Sequence, residues 1–256
     1  MIGGHVNELD WMSSTGNQSR VAKSPIVLVH GAWHGGWCWR RVVPLLQAAG
    51  HEVFSPTLTG LADRAHLFAR TIDLDTHIHD VIGLLESEEL TNVVLVGHSY
   101  AGAVITGVAD RATSRLHSLV YLDAFLPTDG KRMVDYINPA RREATIKAGE
   151  ANGFVDPPDA ALFGLLPNTA DMAWVMRRMT RRPFGTFAQP LRFHHGGGGS
   201  LRRTYIHCTN PGTGSFDQFA NVLRSDPAWI FHEFRTGHDY MVLEPAETAR
   251  LILSAA

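Results

Sequence analysis

One short motif combines a serine with the small residues of a tight turn. Residues 93–96, Val-Val-Leu-Val, lead directly into residues 97–102, Gly-His-Ser-Tyr-Ala-Gly, and a helical pattern follows. A serine placed in this way between a strand and a helix is typical of a nucleophile elbow, in which small neighbours let the two arms of the turn approach. We therefore predict that Ser99 is a nucleophile and that His98 packs beneath the turn.

A serine hydroxyl is a weak nucleophile at neutral pH and needs a base within hydrogen-bond reach. Of the fourteen histidines, His238 alone combines a late position in the chain with a place just after a strand, predicted at residues 229–234. Functional groups of parallel α/β sheets gather beyond the carboxyl ends of the strands. The pattern therefore predicts that His238 is the base that accepts the proton of Ser99.

Three residues compete for the role of the acid that orients this histidine. Asp123 ends the apolar run 118–122, where a buried carboxylate without a partner would be costly. Asp217 lies in the region after the next-to-last strand, the usual place for the acid, and Asn210 in the same region is a neutral alternative. The sequence favours Asp123 over Asp217, with Asn210 in reserve.

Acyl transfer also requires donors aimed at the developing oxyanion. We assign one donor to the backbone amide of Tyr100, next to the serine, and the other to the amide of Ala32 in the glycine-rich turn 30–36. This turn lacks the Gly-x-Gly-x-x-Gly fingerprint and the acidic residue of a dinucleotide site, so no cofactor is predicted. The histidines lack partners at ligand spacing, so no metal site is predicted either.

Strand-like and helical segments alternate along the chain and must position these residues. Strands are predicted at 26–30, 52–55, 92–96, 116–122, 203–208 and 229–234, and helices at 39–49, 74–86, 101–112 and 245–253. Such alternation predicts an α/β fold, a mainly parallel sheet of about six strands covered by helices on both faces. The alternation fails between residues 127 and 200, which predicts a helical cap inserted after the strand that follows the nucleophile helix. A glycine run at residues 196–199 is expected to be a flexible return to the sheet.

Bulk properties bound the class of protein. The 256 residues fit one domain at 25–256, and residues 1–24 are polar and predict a disordered N-terminal extension. A net charge of −2 and the absence of a long apolar run predict neither nucleic acid nor a membrane as partner. Two cysteines on different elements predict a reduced, cytoplasmic protein. A homodimer is left open.

Five motifs together resemble the small cofactor-free esterase branch of the α/β-hydrolase fold. They lie at residues 29–39, 56–60, 97–102, 121–125 and 237–239, and the branch holds plant methylesterases, hydroxynitrile lyases, and bacterial pyrethroid and carbendazim hydrolases. The resemblance implies Ser99 as nucleophile, His238 as base, and the amides of Ala32 and Tyr100 as the oxyanion hole. Asn210 stands near the place where relatives often carry the acidic aspartate.

Hydroxynitrile lyases differ from this chain at two positions. They carry a threonine and a lysine where this chain has Gly31 and Asp239. Because the lysine's positive charge would be needed to stabilise a cyanide leaving group, cleavage of cyanohydrins is disfavoured.

The sequence thus predicts a serine hydrolase of the carboxylesterase type that acts through an acyl-enzyme. Its partner would be a small apolar or aromatic ester, with carbamates and amides as further substrates. Candidate pocket residues are Trp33, Phe125, Trp174 and Met241, while the pair at residues 181–182, Arg-Arg, reads as a solvated edge. A cofactor-free dioxygenase and a ligand-binding receptor on the same fold are the alternative functions.

Overall fold

Six parallel strands form the sheet on which the predicted site residues converge. The protein is described by a computed structural model that covers residues 23–256, so the predicted extension at 1–24 lies outside the described residues apart from its last two. The strands of this sheet are β1 (Ile26–Val29), β2 (Val53–Phe54), β3 (Val93–His98), β4 (Leu116–Leu122), β7 (Arg202–Cys208) and β8 (Trp229–Phe234). Their order across the sheet is β2-β1-β3-β4-β7-β8, and every neighbouring pair is parallel. This confirms the predicted α/β class and the six-stranded parallel sheet.

Helices cover both faces of this sheet and also form part of the segment between β4 and β7. They are α1 (Val43–Ala48), α2 (Leu74–Ser87), α3 (Ala101–Ala112), α4 (Pro139–Asn152), α5 (Ala170–Met176), α6 (Gly185–Ala188), α7 (Asp217–Leu223), α8 (Tyr240–Leu243) and α9 (Pro245–Leu253). The helix predicted at 39–49 is shorter than expected, because a separate 3-10 turn, Gly36–Trp39, precedes α1.

Alternate residues of each central strand belong to two separate apolar cores. In β3, Val93 and Leu95 pack with α2 and α3 on one face, whereas Val94 and Val96 pack with α1 and α9 on the other. A strand that is buried on both sides must be apolar at every position, which explains the uninterrupted run that precedes the serine turn. The sheet is therefore a rigid frame that fixes the positions of the residues at its carboxyl edge.

The segment between β4 and β7 is built differently from the rest. It carries α4, α5 and α6 together with a two-stranded antiparallel ribbon of β5 (Phe154–Val155) and β6 (Arg182–Pro183). None of these elements joins the main sheet. The segment therefore packs above the carboxyl edge rather than extending the sheet, and it contributes one wall of the cavity described below.

The glycine run that closes this segment is held by one buried carboxylate. Asp110 at the end of α3 accepts hydrogen bonds from the backbone amides of His194, His195 and Gly197 at 2.7–2.9 Å. Burial by itself would raise the pKa of Asp110, but these three donors hold the pKa below its usual value. The return to the sheet at residues 196–199, predicted to be flexible, is thus anchored, because the Asp110 carboxylate accepts hydrogen bonds from three backbone amides between residues 194 and 197.

Candidate active site

Ser99 lies at a strained turn between β3 and α3. Its φ of 55° is in the left-handed region, which a non-glycine residue occupies only when its surroundings impose it. Two hydrogen bonds impose it here, from the Ser99 amide to the carbonyl of Leu122 at 3.1 Å and from the Phe125 amide to the Ser99 carbonyl at 3.0 Å. A Cβ on Gly97 would lie 2.8 Å from the carbonyl of Ala101, so the turn requires glycine there.

The turn after β1 lies directly against the serine turn. A Cβ on Gly31 would come within 2.9 Å of Nδ1 of His98 and 3.0 Å of Cβ of Ser99. The next residue, Ala32, lines the same cavity as Ser99 and Tyr100. Within residues 23–256, the amides of Ala32 and Tyr100 donate no hydrogen bond to protein atoms, so both remain available to a ligand.

Asp123 and His238 form a short, buried hydrogen bond. Asp123 follows β4 with a φ of 41°, and its Oδ2 lies 2.6 Å from Nδ1 of His238. Its Oδ1 accepts hydrogen bonds from the Cys208 amide and from His207 Nδ1, each at 3.1 Å. Burial by itself would raise the pKa of the Asp123 carboxyl, but the hydrogen bonds from His207, His238 and the amide hold the pKa below its usual value. Asp123 is therefore an ionised acceptor at neutral pH.

The other two acid candidates do not reach His238. The Asp217 side chain is about half exposed, and its Oδ1 lies 3.2 Å from Nε2 of His207, so it is one residue removed from the pair. Asn210 is exposed, and its backbone amide bonds to the carbonyl of Thr236. Of the three alternatives, the structure brings only Asp123 to the histidine.

Ser99 and His238 line one cavity of about 270 Å³. Within residues 23–256, neither the Ser99 hydroxyl nor Nε2 of His238 forms a hydrogen bond, although both residues line the cavity. Such bonds are often long without a ligand and tighten when substrate binds. The wall is mostly apolar, and seven of its residues carry aromatic rings: Trp33, Tyr100, Phe125, Tyr136, Phe163, Phe187 and Phe216.

Two of the four predicted pocket residues lie elsewhere. Trp33 and Phe125 line the cavity as expected, whereas Met241 and Trp174 do not. Met241 lies in α8 and is fully buried in the core between the sheet and α9, because α8 turns back onto the sheet. Trp174 packs edge-on against Trp37 at 5.1 Å, and the guanidinium of Arg178 covers its ring.

The sequence interpretation missed one cavity residue altogether. Arg182 was expected to be solvated with Arg181, yet only 1% of Arg182 is exposed and its side chain lines the cavity. Arg181 alone is exposed and pairs with Asp156 at 2.8 Å. The strand β6 consists of Arg182 and Pro183, both buried, and it is too short to produce a readable period in the sequence.

A second buried carboxylate–imidazole pair lies beside the first. Asp239 Oδ2 is 3.0 Å from Nε2 of His34, whose Nδ1 lies 2.8 Å from the carbonyl of Ala32. Burial by itself would lower the pKa of His34, but the charge and hydrogen bond of Asp239 outweigh it and raise the pKa. The pair links the turn after β1 to the loop that carries His238.

The described residues form neither a metal-type cluster nor a membrane-spanning helix. Among the residues that the structure describes, no group of three or more His, Cys, Asp and Glu side chains is arranged to hold a metal ion. Across residues 23–256, no helix has the length and apolar character needed to span a membrane. Cys38 and Cys208 are buried, and neither forms a disulfide.

Comparison with known proteins gives a consistent result. Residues 26–251 match the model of the alpha/beta hydrolase family. The chain is 42% identical over 234 residues to a carbendazim hydrolyzing esterase from Nocardioides sp. (strain SG-4G), covering 87% of this chain and 96% of that protein. It is 35% identical over 116 residues to a pyrethroid hydrolase from Sphingobium wenxiniae, covering 44% of this chain and 40% of that protein.

A solved structure extends the likeness to the whole fold. An extracellular alpha/beta-hydrolase from a Paenibacillus species superposes with a TM-score of 0.75 at 20% identity, covering 91% of this chain and 99% of that chain. The parallel sheet, the serine turn and the matched residues agree with these comparisons. The chain therefore belongs to the alpha/beta hydrolase family.

Proposed function

We propose that this chain is a carboxylesterase-type serine hydrolase that works through an acyl-enzyme on Ser99. The observation that carries the proposal is the 2.6 Å Asp123–His238 hydrogen bond at the wall of the cavity that Ser99 also lines. The esterase-type reaction itself is supported by the 42% identical carbendazim hydrolyzing esterase. An esterase-type hydrolase thus accounts for both the fold and the charged side chains at the carboxyl edge of the sheet.

The reaction follows from the roles of these groups. The Ser99 oxygen attacks the ester carbonyl carbon while its proton passes to Nε2 of His238, and Asp123 holds the ring through Nδ1 and stabilises the imidazolium. The amides of Ala32 and Tyr100 stabilise the negative oxygen that forms. His238 then protonates the leaving alcohol, and a water molecule activated by the same imidazole releases the acid from Ser99.

The cavity suits a small substrate with an aromatic or apolar part. Its volume of about 270 Å³ and its wall of aromatic rings favour compact acyl and alcohol groups. Carbendazim, the compound named for the 42% identical relative, is a methyl carbamate of an aromatic amine. We therefore propose that the substrate class includes methyl carbamates of aromatic amines as well as carboxylic esters.

The segment at residues 127–200 is proposed to act as a cap within one catalytic domain that spans residues 25–256. Its residues Phe163, Arg182 and Phe187 contribute to the cavity wall, which supports this role. We propose a cytoplasmic location because the two cysteines are buried and free. Sedimentation equilibrium would determine whether the protein is a monomer or a homodimer in solution.

The proposal is tested by labelling with a fluorophosphonate and by a chain-length series of p-nitrophenyl esters, with carbendazim as a further substrate. We expect one covalent adduct on Ser99 and a burst of p-nitrophenol. Ser99→Ala should abolish the adduct and lower kcat by at least about 10⁴-fold without changing Tm. Ser215→Ala, which alters another serine of the cavity wall, is the matched control and should still be labelled. Normal turnover by Ser99→Ala would refute the proposal.

A further inference from the structure

Arg182 is a buried cation with no counter-ion among residues 23–256. Within these residues its guanidinium donates to Thr186 Oγ1, from Nη2 at 2.7 Å and from Nε at 3.3 Å. Nη1 is buried and has no hydrogen-bond partner in the part of the chain that the structure describes. Among the same residues, no Asp or Glu oxygen lies within 4.0 Å of the guanidinium. The described residues therefore leave the positive charge and the Nη1 group without a polar partner.

Aromatic rings surround this guanidinium but do not neutralise it. Its carbon lies 4.1 Å from the ring centroid of Phe187, 4.4 Å from Tyr100 and 5.6 Å from Trp33. Such contacts stabilise a cation by about 0.5–2 kcal/mol each, whereas burial of an unpaired ion costs several kcal/mol. Burial lowers the pKa of Arg182 to about 10, so the side chain is still charged at neutral pH. Because the buried charge of Arg182 is so costly, we expect a negatively charged group from outside the chain to pair with it.

The unpaired guanidinium lines the same cavity as Ser99 and His238. Two further charged residues line that cavity, Arg141 and Asp156, and the Asp156 carboxylate is already paired with Arg181 at 2.8 Å. The wall therefore carries a net positive charge on an otherwise mostly apolar surface. An anion on a small organic molecule complements both properties.

We propose that Arg182 binds a carboxylate carried by the ester substrate, so that the preferred substrates are esters with a second, negatively charged group. The planar guanidinium matches the oxygens of a carboxylate, and Nη1, which is buried and has no partner among the described residues, is the group that would donate to it. Thr186 and the ring of Tyr100 hold the guanidinium in place, and Tyr100 directly follows the nucleophile. This inference rests on the proposed role of Ser99.

The test compares matched esters that differ only in charge. The mono-p-nitrophenyl esters of adipate, pimelate and suberate are compared with p-nitrophenyl hexanoate, heptanoate and octanoate, and aryl acetates with and without a ring carboxylate test the alcohol side. We expect at least one charged ester to exceed its neutral partner about tenfold in kcat/KM, because hydrogen bonds between charged groups are stronger than those between neutral groups. In Arg182→Met that ratio should fall about tenfold or more.

Arg181→Met is the matched control, since it removes a neighbouring arginine that is 61% exposed. In Arg181→Met, the kcat/KM of the charged ester divided by that of its neutral partner should stay within about twofold of the wild-type value. Equal ratios in the wild type and Arg182→Met, with both esters hydrolysed, would overturn the inference and leave the esterase proposal standing. Failure of every ester together with absence of fluorophosphonate labelling would instead overturn the proposed function.

Calorimetric binding of benzoate and benzamide tests Arg182 without turnover. The wild type should bind benzoate about tenfold more tightly than benzamide, and Arg182→Met should lose that preference. Thermal denaturation shows whether Arg182→Met is folded. If that variant does not fold, equal affinity of the wild type for benzoate and benzamide still overturns the inference.

Discussion

Two buried carboxylate–imidazole pairs lie side by side in the described part of this protein, and they differ in how many ring nitrogens have a protein partner. In the first, Asp123 bonds Nδ1 of His238 at 2.6 Å; in the second, Asp239 bonds Nε2 of His34 at 3.0 Å. The two pairs share their residue types and their burial, and His238 and Asp239 are adjacent in the chain.

The difference lies in the remaining nitrogen of each ring. Nδ1 of His34 lies 2.8 Å from the carbonyl of Ala32, so both ring nitrogens meet oxygen acceptors. This arrangement favours the protonated form of His34, in agreement with its raised pKa. His238 uses one nitrogen for Asp123, and its second nitrogen has no protein partner among the described residues. The second nitrogen, rather than the pair itself, therefore distinguishes the proposed base from a histidine held on both sides.

The largest effect should follow from Asp123→Asn. The amide can no longer fix the histidine tautomer or stabilise the imidazolium, so we expect kcat to fall about 10⁴-fold with little change in KM. Steady-state kinetics with a p-nitrophenyl ester measure the loss. Asp239→Asn is the matched comparison, and a loss of the same size there would erase the distinction between the two pairs.

Asp239→Asn should instead reduce stability. Removal of one partner leaves the buried His34 cation uncompensated, which costs about 3 kcal/mol of unfolding free energy and lowers Tm by roughly 6–12 °C. Urea and thermal denaturation measure this. Asp156→Asn, which breaks an exposed pair, is the control and should cost less than about 1 kcal/mol. Equal costs would contradict the structural role of the His34 pair.

A smaller effect is expected from His207→Phe. This change removes a donor from Asp123 Oδ1 while keeping a ring in the same space, so the carboxylate is less well oriented toward His238. We expect kcat to fall about tenfold. Asp217→Asn removes only the distal partner of His207 and should stay within about threefold. An unchanged kcat in His207→Phe would show that the Cys208 amide suffices to hold Asp123.

The smallest effect concerns pH. Because the folded state raises the pKa of His34, its stabilising contribution is fully present below the ordinary value of 6.5 and is lost as pH rises through the folded value. The unfolding free energy that separates the wild type from His34→Gln should therefore shrink with rising pH, by at most about 1.4 kcal/mol per pH unit. Urea denaturation at a series of pH values measures it, and a difference that grows with pH would contradict the assignment.

The sequence predicts the sheet and the serine turn because both depend on local patterns. An apolar run that is buried on two faces and a turn that needs small residues are visible without tertiary information. Asp123 was favoured for a physical reason as well, since a carboxylate at the end of a buried strand needs a partner, and the structure supplies His238 and His207. The catalytic roles of these residues remain predictions for the experiments above.

The cavity wall was harder to predict because it depends on how the cap lies over the sheet. Met241 and Trp174 are as apolar as Trp33 and Phe125, and nothing local shows which of them faces the cavity. Arg182 was misjudged for the same reason, because its burial is imposed by rings from three separate segments. Side chains whose neighbours are distant in sequence carry no signal in their own segment.

Because Asp123, which directly follows β4, contacts the proposed base His238, the loop after β7 has no part in the proposed proton relay. That loop, residues 209–216, still contributes Thr213, Ser215 and Phe216 to the cavity wall. Most of its residues are exposed, so substitutions there have little effect on the core. Substrate preference can therefore change through substitutions in this one surface loop, while Ser99, His238 and Asp123 stay the same.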